Sequence, residues 1–221
     1  MTTLARAKVT CVKCGNSEML DVILATNQEG KPDLDFRPPE TYRSAMPHWL
    51  HRCTSCGYVN GNLAEDNGVE ETFLFTDENY HRILNDFDMD ETVKMFLLYA
   101  LEAEQIGNAY ECALAYLKLA WLYDDKGEAF AEKAVEMRNK ALDFLEEATP
   151  QDERQQSRIR LLRLDILRRV KLFGPVALEC KKLQDEGDAF ERKVAAFQLR
   201  LCHVYDDKAH SLNEIEEKTE K

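Results

Sequence analysis

Two short stretches of the chain set a pair of cysteines three positions apart and follow it at once with glycine. In TCVKCGNS these are Cys11, Cys14 and Gly15; in RCTSCGYV they are Cys53, Cys56 and Gly57. Thiolates are soft donors, and a tetrahedral zinc ion takes four of them. A C-x-x-C turn holds two sulfurs on one side of an ion, and the glycine lets backbone amides approach them. Each stretch therefore supplies half a tetrahedron, and the pair predicts one zinc bound by Cys11, Cys14, Cys53 and Cys56. Four protein thiolates close the coordination shell, so the expected role is structural. An iron centre of the rubredoxin type uses the same ligands, and ligand identity leaves that metal open. His48 and His51 lie close to Cys53 in sequence; with four cysteines at hand they are expected at the surface or behind the ligands. A redox pair would need its C-x-x-C at a helix start beside a βαβ pattern, which is absent.

No other stretch carries recognisable catalytic chemistry. There is no H-E-x-x-H, no phosphate-cradling loop and no nucleophile elbow, so no enzymatic activity is expected. Cys112, Cys180 and Cys202 complete the seven cysteines; each stands alone in an apolar, helix-like stretch and is expected to be buried and inert. The net charge of −12 is uneven: residues 1–60 hold 7 Lys/Arg against 6 Asp/Glu, and the remainder 22 against 35. So acidic a chain is a poor match for phosphate backbones, which argues against nucleic acid as a partner. No apolar run is long enough for a bilayer, and the opening residues MTTLARAKVTC lack the apolar core of a secretory signal. The expected compartment is the cytoplasm.

The elements that must position the cysteines change character near residue 75. Up to there the chain is rich in glycine and proline, and the apolar runs MLDVILAT and VEETFLF have strand length. KPDLDFRPPETYRSAMP is too rich in proline for a helix and reads as an ordered loop or extended linker. From Thr76, expected to cap the first helix, the periodicity is helical, with stops at Gly107, Gly127, Pro150, Gly174 and Gly187. The expected organisation is a zinc-ribbon-like β/loop module over residues 1–75, a helical region over 76–210 and a charged tail over 211–221. The fold class is mainly α.

Short turns between the helices imply antiparallel neighbours. The stretch ending at Gly174 is apolar on two sides, with Ile159, Leu162, Ile166, Val170 and Phe173 on one stripe and Leu161, Leu164 and Leu172 on another. Two apolar faces suit a helix stacked between neighbours, and the large–small pattern of Tyr116, Leu119, Ala120, Tyr123, Gly127, Ala134 and Ala141 suggests tetratricopeptide-like stacking. Between the stripes, Arg154, Arg158, Asp165 and Arg169 follow at intervals of 4, 7 and 4 residues. Arg154, Arg158 and Arg169 are thus candidates to receive an acidic partner, since guanidinium forks suit carboxylates.

The stretches VTCVKCGN, DLDFRPPETYRSAMPHWLHRCTSCGYV and ALAYLKLAWLYDDKGE together resemble the bacterial family known as domain of unknown function 2225. The likeness runs from residue 9 to about residue 205, and departs where Val12-Lys13 stands between the first two cysteines in place of a proline. The resemblance implies zinc binding through Cys11, Cys14, Cys53 and Cys56 and a helical repeat, and brings no activity with it. The function expected from the sequence is a cytosolic, zinc-stabilised scaffold that binds a protein or peptide. A nucleic-acid-associated zinc-ribbon factor and a thiol/zinc redox sensor are the alternatives.

Overall fold

The computed structural model describes residues 1–217. The N-terminal part consists of two antiparallel hairpins of unequal size. Strands β1 (Thr2–Thr10) and β2 (Ser17–Thr26) pair from Thr2↔Thr26 to Thr10↔Ser17, so their turn is the first cysteine stretch. The second stretch is the turn of a minimal hairpin, β3 (His51–Arg52) and β4 (Val59–Asn60). MLDVILAT is indeed strand; its partner β1, where Ala5, Ala7 and Val9 alternate with Arg6 and Lys8, was not expected. Between the hairpins the proline-rich stretch is an ordered loop ending in a single 3-10 segment, Arg43–His48.

Among the described residues nine α-helices follow: α1 (Glu71–Thr76), α2 (Glu78–Leu84), α3 (Glu91–Gln105), α4 (Ala109–Asp125), α5 (Ala131–Glu147), α6 (Glu153–Arg169), α7 (Phe173–Glu186), α8 (Ala189–His203) and α9 (Asn213–Glu217). A mainly α chain with short N-terminal strands is what the composition and periodicity suggest. VEETFLF, expected to be a strand, contributes to α1 instead. A strand would set Phe73 and Phe75 on one face; the chain needs Phe73 against Tyr80 and Leu74 in the core, with Phe75 outside at 57% exposure. Thr76 does not cap α2. Its hydroxyl donates back to Thr72 O, and Asp77 caps by accepting from Tyr80 N at 2.7 Å. Asp90, Asn108, Asp152 and Asp188 cap α3, α4, α6 and α8 in the same way. The helix expected to run to Gly174 stops at Arg169. Lys171 takes a left-handed turn at φ 65°, and Leu172 N bonds Leu167 O, a Schellman closure that lets Gly174 and Pro175 sit in the first turn of α7. Of the second apolar stripe, Leu161 and Leu164 are buried and Leu172 is exposed.

Helices that follow one another in the chain pack together from α3 to α8, and α6 also meets α8. The apolar core is continuous, from Cys11 and Cys53 through α3–α8 to Ile215. Two stretches of backbone close the N-terminal part onto the helices. Leu34 N bonds His210 O at 2.8 Å, and Leu212 N bonds Pro32 O at 2.9 Å. Of the segment expected to be a charged tail, Leu212 and Ile215 are buried, and residues 218–221 lie outside the described residues. Among the described residues no helix is long and apolar enough to cross a membrane.

Candidate metal centre

Each cysteine pair sits in a turn with the same backbone pattern. Gly15 N bonds Cys11 O at 2.9 Å and Cys11 N bonds Asn16 O at 2.8 Å; Gly57 N bonds Cys53 O at 3.0 Å and Cys53 N bonds Tyr58 O at 2.9 Å. Both glycines have positive φ, 73° and 83°, the backbone setting an L side chain disfavours. At Gly57 a Cβ would also meet Leu84 at 3.0 Å. Two copies of one local fold thus face each other, 38 residues and a long loop apart.

The four sulfurs of Cys11, Cys14, Cys53 and Cys56 lie within 4.8 Å of one another. Between the turns, Cys11 Sγ lies 3.8 Å from Cys56 Sγ and Cys14 Sγ 3.6 Å from Cys53 Sγ. A tetrahedron of sulfurs around zinc at its usual bond length has edges of roughly 3.8 Å, so the donor set fits a four-coordinate ion. Burial opposes ionisation of Cys11 and Cys56 and pushes both thiols up. Burial acts the same way on Cys14, but the Asn16 amide and the neighbouring sulfurs outweigh it and bring that thiol down to about 7. Confining four thiols at this spacing divides their proton affinities; a divalent cation would let all four ionise together.

The surroundings hold this cluster against the helices through residues that the sequence did not single out. Glu102 of α3 is fully buried; its carboxylate accepts from Val59 N at 2.9 Å, the Tyr80 hydroxyl at 2.7 Å and Asn67 Nδ2 at 2.8 Å. Burial pushes its carboxyl up to about 7 despite those donors. A signal existed: Met95, Leu98 and Glu102 follow one stripe of α3, so the acid stands where an apolar residue is due. Lys13, one of the two residues between the first cysteines, reaches Asp66 at 2.5 Å and Val69 O at 2.6 Å, with its ammonium over the Tyr58 ring. Val12 N bonds Leu63 O at 2.9 Å. Val12 and Lys13 therefore tie the first turn to the chain beyond the second.

His51 is buried in β3 and His48 is half-buried; neither joins the sulfur cluster. Cys112, Cys180 and Cys202 are buried and unpaired by disulfide. Burial pushes Cys112 and Cys180 up to about 12 and raises Cys202, which removes them from thiolate chemistry. Of the three arginines, Arg154 and Arg158 are exposed, Arg158 with its guanidinium over the Phe36 ring at 4.7 Å, and Arg169 donates to Asp124 at 2.9 Å. Asp165, between them, is buried with Arg168 and Gln198. The loop carrying Phe36 packs against α4: Asp35 Oδ2 accepts from Trp121 Nε1 at 2.6 Å, and Arg37 pairs with Asp125.

The family described as "Uncharacterized protein conserved in bacteria (DUF2225)" matches residues 40–172. This span takes in Cys53 and Cys56 and begins after Cys11 and Cys14. Comparison with curated proteins and with solved structures gives no match.

Proposed function

Because the chain belongs to DUF2225, a family of uncharacterized bacterial proteins that brings no activity with it, we propose from the site's own chemistry that it is a zinc-stabilised scaffold for protein partners. The observation that carries this reading is the meeting of four sulfurs, from turns 38 residues apart in sequence, within 4.8 Å. Cys11, Cys14, Cys53 and Cys56 would hold one zinc ion. Bound there, it would supply a charge-neutralising cross-link between two hairpins too small to hold a core of their own. Iron could take the same donors; zinc is preferred because a closed thiolate tetrahedron suits a metal whose role is structural. With every ligand position filled by protein, no reacting group has a place, and a binding role follows more naturally than catalysis. The helices, packed in chain order from α3 to α8, suit a tetratricopeptide-like stack, an architecture that offers long grooves to peptides. Net charge −12 favours a protein partner over nucleic acid, and a cytoplasmic setting suits seven unpaired thiols.

Elemental analysis with thiol titration tests the metal half. Purified chain should carry one zinc, and four thiols should become reactive on chelation. Metal-free protein, or metal that survives Cys53→Ser, would overturn it, and stoichiometric iron would change the metal and keep the site. The scaffold half is tested by affinity capture from native lysate with the metal-loaded chain as bait. Failure to enrich any protein over a Cys53→Ser bait would overturn it.

A further inference from the structure

Of the arginine stripe, Arg154 and Arg158 are exposed and Arg169 is engaged by Asp124, on the side of α4 that the Asp35–Arg37 loop packs against. The opposite side of α4 carries a groove of about 420 Å³ between α2 and α5, floored by α3 and α4. Its floor is apolar and half-open: Leu97 and Leu101 of α3, with Met89 and Tyr123, are partly exposed. Phe87, two residues before Met89, is 91% exposed.

The groove's wall has a repeated construction. Lys140 stands over the Tyr116 ring at 5.0 Å, and Lys133 over the Tyr123 ring at 5.7 Å. Tyr116 and Tyr123 are seven residues apart on α4, as are Lys133 and Lys140 on antiparallel α5, so the two lysine-on-tyrosine stations are in register. Neither lysine has an ion-pair partner among the described residues, in a chain with 41 Asp and Glu. Arg82 adds a third cation at the α2 edge, and Glu136 is the single acid of the lining. An apolar floor beneath unpaired cations calls for a ligand with the opposite sign and the same mixed character.

We propose that this groove binds a peptide segment of a partner protein in which apolar side chains are flanked by Asp or Glu, with Lys133 and Lys140 receiving two carboxylates. The proposal rests on the scaffold reading and gives it an address. Seven helical residues span roughly 10 Å, so the two acids should fall about three positions apart in an extended peptide or about seven apart in a helical one.

The test is selection from a display library of random peptides about sixteen residues long against the metal-loaded full chain. Expected are apolar peptides with paired acids at one of those spacings. Their binding should weaken with salt and fall about tenfold or more with K133E/K140E, while circular dichroism and metal content stay unchanged. Selected peptides without paired acids, or peptides that bind K133E/K140E equally well, would overturn the proposal, as would an empty selection. Sedimentation showing a dimer that dissociates in K133E/K140E would also overturn it, by giving the groove to a second copy. None of these results touches the lysate capture, so the scaffold reading fails only if that capture fails too.

Discussion

Glu102 carries the clearest consequence at the scale of single residues. Its carboxyl is raised from 4.5 to about 7 by burial, so the folded chain holds a proton that the unfolded chain has lost between those values. Stability from this group is therefore complete below about pH 4.5 and is lost as pH rises through about 7. The shift corresponds to about 3 kcal/mol at most. Tyr80 and Asn67 face the carboxylate directly, and the nearby Lys13 ammonium acts to lower it. E102Q cannot ionise, so the difference in urea midpoint between wild type and variant should shift in the variant's favour from pH 5 to pH 8. A difference that does not change with pH would mean that Glu102 titrates alike in both states. The cysteines were legible because their chemistry is local: a turn, two thiols and a glycine. Glu102 was harder to read, since an acid on a helix is ordinarily solvated and only the Met95–Leu98 stripe marked it as inward.

At the scale of elements, the sequence told helices from hairpins but not how they lock together. The helix stops at Gly107 and Gly127 were readable because both glycines adopt positive φ, 70° and 87°. The α6 stop was not, because Lys171, a residue with no special preference, takes that role. VEETFLF was ambiguous because three adjacent apolar residues fit either period. A boundary at residue 75 says nothing of the contacts that join the cysteine module to the helices, since these are long-range. Tyr80 of α2 and Glu102 of α3 both touch the second turn, with the Tyr80 hydroxyl 2.9 Å from Gly57 O. Arg52 of β3 also pairs with Glu91 at the start of α3. Loss of the metal should therefore loosen more than the hairpins. In C53S, amide exchange is expected to rise across residues 51–60 and also in α2 and the second half of α3, while α6–α8 keep their protection. A change confined to the two cysteine turns would show that this polar contact transmits nothing.

At the scale of the whole molecule, the loop from Asp33 to Arg37 joins residues far apart in the chain: Trp121 and Asp125 of α4, Arg158 of α6 and His210 near the end. Its sequence was read as an ordered loop because prolines exclude helix, but nothing local says that Asp35 becomes fully buried. Burial, then the Asp165 charge, pushes the Asp35 carboxyl up to about 6, against the Trp121 N–H and the Arg169 and Arg138 guanidiniums, which lower it. W121F keeps an aromatic ring and removes the donor. Leaving a buried acceptor short of a partner costs about 1–3 kcal/mol, and a bond to an ionised acceptor is roughly twice as strong as one to a neutral acceptor. The W121F penalty should therefore be larger at pH 8, where Asp35 is ionised, than at pH 5, where it is largely protonated. Exchange should rise at residues 33–37 and 210–212 together, because Leu34 and Leu212 bond across the same seam. Because the apolar core is continuous from Cys11 to Ile215, the metal-loaded variant should still unfold in one calorimetric transition at a lower temperature. Two resolved transitions, or a penalty independent of pH, would show that this seam is a surface contact rather than part of the core.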